Sequence, residues 1–142
     1  MAIEPGTVVR MKKDGGPLTL RISIDGLAGW AYQYVTETGT LKGKSTDGGG
    51  PERTHPLGTV TSLHLDGHAW TVRVGDVGDD EVTVKVTLTW EQDVDKDGRT
   101  EVIHRRESTL KVSAANPADT FKSEVFLVAA ADATPLQSDA TS

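Results

Sequence analysis

Apolar and polar residues alternate without a slip from Glu81 to Trp90. Val82, Val84, Val86, Leu88 and Trp90 fall on one side, and Glu81, Thr83, Lys85, Thr87 and Thr89 on the other. A period of two is the mark of a strand with one buried face, and the rest of the chain is read around it. An acidic loop follows at Asp93-Val94-Asp95-Lys96-Asp97-Gly98, and a second strand-like run from Thr100 to Val112 returns beside it. Upstream, strands are predicted at Thr7 to Met11, Leu18 to Ile24, Ala28 to Thr36, Thr40 to Lys44, Gly58 to Leu65 and His68 to Val74. Phe121 to Val128 supplies the last. About nine strands joined mostly by short turns, with no segment of helical period, predict an all-β fold: an antiparallel β-sandwich, with a small β-barrel as the alternative.

Turn residues set the expected registers. Asp25-Gly26 and Asp66-Gly67 are both signals for two-residue hairpins. Pairing Leu65 with His68 across the second places Leu63, Leu65, Trp70, Val72 and Val74 on one face and sends His64 and His68 to opposite faces. Residues 45–57 contain Gly48-Gly49-Gly50-Pro51 without any period and predict an exposed, mobile loop. Ala129 to Ser142 is small and polar with no apolar stripe, so one β domain over residues 1–128 and a flexible tail over 129–142 are expected.

Composition narrows the function classes. With no cysteine, disulfides and thiolate metal sites are excluded. Lys and Arg number 15 against 21 Asp and Glu, a formal charge of -6 with no basic run, which argues against nucleic acid as a partner. No apolar run reaches the length of a membrane span, so no membrane insertion is expected. The first residues lack the basic and apolar regions of a secretory signal. As it stands the chain reads as cytoplasmic, or as extracellular if a signal has been removed.

Three features carry candidate chemistry. In the acidic loop, alternate carboxylates followed by glycine aim oxygens at one point, as a hard cation requires. The six residues from Asp93 to Gly98 resemble the first half of an EF-hand calcium loop. The resemblance implies Asp93, Asp95 and Asp97 as side-chain ligands of calcium, Arg99 as a carbonyl ligand and Glu101 at the ninth position. The twelfth position holds His104 where that family has a bidentate glutamate, and strands flank the loop where it has helices. The plain alternative is a solvated turn that collects Asp, Lys and Gly. A second acidic group, Asp76, Asp79, Asp80 and Glu81, lies at the far end of the central strand.

The second feature is aromatic. A strict two-residue turn at Asp25-Gly26 puts Trp30, Tyr32 and Tyr34 on the outer face beside Arg21, a platform for a sugar ring or an apolar partner. A longer turn shifts the register by one and sends all three rings into the core. The third is a polar strip. Bringing Leu110 and Val112 into the core also turns His104, Arg106 and Ser108 inward, opposite Leu88, Val86 and Val84, where they would line a ligand cavity unless a bulge near Arg105 or a solvent-exposed edge accounts for them.

The four histidines do not converge, and no nucleophile elbow or phosphate-cradling glycine loop is present. The expected function is therefore a non-catalytic binding module for a small ligand, glycan or protein partner, assisted by calcium at the 93–101 loop. The alternatives are a self-associating structural subunit, a homo-oligomer built through its sheet edges, and a small-ligand barrel acting as carrier or minor enzyme.

Overall fold

The computed structural model describes residues 7–26, 28–47, 51–75, 81–130 and 138–139. Its strands are β1 (Thr7–Lys12), β2 (Leu18–Asp25), β3 (Gly29–Thr36), β4 (Gly39–Lys44), β5 (Glu52–Gly58), β6 (Asp66–Gly75), β7 (Val82–Gln92), β8 (Glu101–Val112), β9 (Ala118–Ala130) and the two-residue β10 (Ser138–Asp139). A single helical turn, α1 (Val60–Leu63), precedes β6. The strands form two sheets, ordered β1-β9-β6-β3-β4 and β10-β8-β7-β2-β5. They pack face to face as a sandwich with little helix, as the alternation of apolar and polar residues predicts. Most pairs are antiparallel, but β1 joins β9 and β10 joins β8 in parallel.

The core is where period two says it should be. Val84, Val86, Leu88 and Trp90 of β7 are buried against Leu18, Leu20, Ile22 and Ile24 of β2 and against the opposite sheet. At one end of the sandwich the buried Gln92 ties the layers together. It accepts from the backbone N–H of Lys12 at 2.9 Å and donates to the carbonyls of Lys12 and Gly16 at 3.0 and 3.1 Å, so a polar side chain with no exposure is satisfied.

The two Asp-Gly dipeptides are not hairpins. At Asp25-Gly26 the chain leaves one sheet and enters the other, so β2 and β3 are not neighbours. A Cβ on Gly26 would stand 2.7 Å from the Val84 side chain and 2.9 Å from the Thr83 carbonyl, and this close approach to β7 is what the glycine serves. Residues 59–65 form α1 and a left-handed residue, Leu65 with φ 68°, rather than a strand. Thr59 caps that turn by accepting from the backbone N–H of Ser62 at 3.2 Å. Leu65 is consequently 59% exposed, not a core residue, although Leu63, Trp70, Val72 and Val74 are buried together. The hairpins that do form are β3–β4 and β7–β8.

The 45–57 loop is also corrected. It contains a short 3-10 turn at Ser45–Asp47 and all but the last residue of β5, which pairs with β2. Residues 48–50 lie outside the described residues. Ala129 and Ala130, placed in the tail from sequence, end β9, while Ser138 and Asp139 pair with Arg105 and Arg106. The remainder of the tail lies outside the described residues.

Candidate functional site

The aromatic platform is overturned. Trp30, Tyr32 and Tyr34 are 8%, 4% and 0% exposed and face the core, because the sheet-to-sheet crossing at Asp25-Gly26 frees β3 from the register a hairpin would impose. Arg21 sits on the other sheet, facing outward. Its Nε donates to Glu91 at 2.9 Å and its Nη1 to Glu52 at 2.6 Å, which holds the guanidinium well above its ordinary pKa and the Glu91 carboxyl below the usual range despite burial. Thr100 Oγ1 donates to the other oxygen of Glu91 at 2.8 Å. The four residues form a closed ion pair network on the sheet surface.

The inward rings build a polar network inside the sandwich. Trp90 Nε1 donates to the Tyr34 hydroxyl at 3.0 Å, and that hydroxyl lies 2.7 Å from His68 Nδ1. An indole N–H can only donate, so the phenolic oxygen accepts from Trp90, and the direction of its bond with His68 follows the imidazole tautomer. The other ring nitrogen, Nε2, faces Asp66 Oδ2 at 3.9 Å, beyond hydrogen-bond distance. Burial pushes the Tyr34 hydroxyl far up and pulls the His68 imidazole below its ordinary value, against the opposing charges of Asp66 and Glu37. Tyr32 makes a similar pair nearer the sheet edge, 2.6 Å from His55 Nε2, and Arg53 stacks over Trp30 at 5.1 Å.

The polar strip of β8 does face inward, but its register differs by two residues. His104, Arg106 and Ser108 pair with Trp90, Leu88 and Val86. A bulge beyond Trp90 inserts Ile103 beside His104, so both of these residues are buried. The His104 ring packs on Trp90 at 5.3 Å, and the Arg106 guanidinium lies 6.0 Å from the centre of Trp70 on the opposite sheet. Ser108 is half-buried.

The acidic loop closes on itself. Asp93 Oδ1 accepts from the backbone N–H of Asp97 and Oδ2 from that of Gly98, both at 3.0 Å. Asp97 accepts from the Arg99 N–H at 2.9 Å, and Asp95 pairs with Lys12 at 3.6 Å. Lys96 and Gly98 take positive φ, 56° and 85°. Glu101 is exposed at the start of β8. Among the described residues no three carboxylates or histidines come together to hold an ion. Asp76, Asp79 and Asp80 of the second acidic group lie outside the described residues, and Glu81 is exposed.

One surface feature was not visible in the sequence. On the outer face of the first sheet, β4, β3 and β6 bound a groove of about 430 Å³ lined by Lys42, Lys44, Gln33, Ala31, Thr71 and Arg73. The cross-strand rows are Lys44–Ala31–Arg73 and Lys42–Gln33–Thr71, and Lys122 of β9 continues the second row. These four cations come from three separate strands, which is why no basic run appears along the chain. Among the described residues Lys42, Arg73 and Lys122 make no ion pair. A second depression of about 300 Å³ shares Ala31 and Arg73 and extends the groove past Gly29 to Gly75 and Pro117.

Gly43 belongs to the same place. A Cβ there would meet the Tyr32 ring at 2.5 Å, so only glycine lets β4 lie over that ring. No family model matches the chain, and no curated protein and no solved structure matches it. No helix among the described residues is long and apolar enough to cross a membrane.

Proposed function

We propose that the protein is a non-catalytic binding module whose ligand is anionic and lies in the groove between β4, β3 and β6. The observation that carries this reading is the gathering of Lys42, Lys44 and Arg73 around a concave surface with a floor of short side chains, Ala31 and Thr71, on a chain of net charge -6. At physiological ionic strength the Debye length is about 8 Å, so a ligand in the groove responds to these cations more than to the distant acidic loop. The aromatic rings of β3 are turned inward, which removes the stacking surface on which a neutral sugar would rest. Tyr34 and His68, the best-formed acid and base pair, are both at most 1% exposed and beyond reach of a substrate.

Titration with labelled oligoglutamate and with a sulfated polysaccharide tests the reading, with oligolysine as the sign control. Binding of either polyanion should weaken steeply with salt, and the double variant Lys42→Glu/Arg73→Glu should lose at least roughly tenfold in affinity, since each reversal replaces an attraction by a repulsion. Indifference of both polyanions to that double variant would overturn the proposal.

A further inference from the structure

We infer that the occupant of the groove is an extended acidic polypeptide segment with carboxylates at alternate positions. The inference rests on the anionic-ligand reading above and goes further by fixing the ligand's backbone and charge pattern. Lys42 and Lys44 stand two residues apart on β4 and both point to the outer face, with Gly43 between them turned inward. Same-face side chains of any extended chain repeat at about 6.8 Å. A peptide lying along the strand direction therefore repeats its own alternate side chains at the spacing of these two lysines. A carboxylate at each alternate position meets a cation at each step. Arg73 stands across Ala31 from Lys44, two strands away, or about 10 Å, and so faces the other side of a chain laid between them.

The length and floor of the groove fit the same occupant. From Gln33 to Gly29 the groove runs along β3 over Ala31, and four residue steps of strand span roughly 14 Å. That holds an extended segment of about five residues. Gln33 and Thr71 offer a side-chain amide and a hydroxyl beside this path, groups that pair with a peptide main chain as readily as with a carboxylate. Across Thr71, Lys122 extends the positive row, while Glu124 in the next row toward the Val35 end is the nearest acidic residue on that part of the face. Peptide charge at the Lys42–Lys44 end is thus favoured and charge toward Val35 is not.

Patterned peptides of equal net charge decide the matter. A labelled Glu-Thr-Glu-Thr-Glu segment should bind the full chain at least roughly fivefold more tightly than the isomer with its three glutamates adjacent. Lys42→Glu should abolish that preference, and Lys42→Arg should retain it. Equal binding of the two isomers would overturn the extended-peptide inference while leaving an anion groove in place. Binding of a sulfated polysaccharide with no binding of either peptide would do the same. Failure of every polyanion to bind would instead remove the underlying reading. A circular dichroism spectrum matching the parent chain shows that each variant is folded.

Discussion

Tyr34→Phe removes one oxygen from the middle of the sandwich and nothing else. The ring keeps its stacking on Trp70, at 6.2 Å and 7°, so packing is conserved and only hydrogen bonding changes. Two bonds vanish together, the one donated by Trp90 Nε1 at 3.0 Å and the one to His68 Nδ1 at 2.7 Å. Trp90 and His68 are 0% and 1% exposed, so water does not replace the lost partner at either atom. A buried donor or acceptor left without a partner costs roughly 1–3 kcal/mol, and two of them give roughly 2–6 kcal/mol. In urea, followed by far-ultraviolet circular dichroism at pH 7.5, the variant should unfold at a markedly lower midpoint with an unchanged slope. Tyr32→Phe is the internal control. It removes the bond to His55, which is only half-buried, and should cost about 1 kcal/mol. A loss below about 0.5 kcal/mol for Tyr34→Phe, or a larger loss for Tyr32→Phe, would falsify the claim that the phenol–indole–imidazole chain holds the two sheets together.

Acid should weaken the fold through the same histidine. Burial lowers the His68 pKa in the folded state, so the unfolded chain takes up the proton first. Stability is then fully present above pH 6.5 and falls below it, by at most about 1.4 kcal/mol per pH unit for one histidine. Thermal melts from pH 7.5 to 5 check this, and His68→Gln should flatten that part of the profile. Gly43→Val should lower the melting temperature and cost roughly 1–3 kcal/mol by overpacking, because its Cβ falls on the Tyr32 ring. A variant as stable as the parent would refute that contact. Asp93→Ala should destabilise by about 1 kcal/mol through the loss of two accepted backbone bonds. The measured cost should be the same in calcium as in chelator, and a calcium-dependent cost would show that the carboxylate has a second role.

The faces of β2 and β7 were legible in the sequence, and the face of β3 and the connections between strands were not. Alternation in β2 and β7 reports burial directly, because a residue facing the core is apolar whichever strand lies beside it. It says nothing about which sheet a strand joins. Asp-Gly is as much at home in a tight hairpin as in the sheet-to-sheet crossing at residues 25–26 or the start of strand β6 at residues 66–67. The choice is made by contacts such as Gly26 against Val84, fifty-eight positions away. β5 was missed because its half-exposed edge sequence, Glu52-Arg53-Thr54-His55-Pro56, has no apolar period to detect. In the acidic loop, the Asp93 carboxylate accepts from the loop's own amides, a use that residue spacing alone does not reveal. The groove had no linear signature, since its cations are brought together only by the pairing of β3 with β4 and β6.

Strand β3 connects the two halves of this reading. Its inward residues are fixed by partners on three other strands: Tyr32 by His55 of β5, and Tyr34 by His68 of β6 and Trp90 of β7. Its outward residues, Ala31 and Gln33, are the floor of the groove. Because successive side chains of one strand share a rigid backbone, hydrogen bonds made on the inner face set where the outer face stands. The interior network therefore preorganises the groove, and preorganisation reduces the cost of ordering that binding would otherwise incur. Tyr32→Phe, which removes only the hydroxyl that meets His55, should then weaken oligoglutamate binding by a small factor, while a substitution equally destabilising but remote from β3, such as Asp93→Ala, should not. If both variants bind as tightly as the parent, the groove's shape does not depend on the core beneath it.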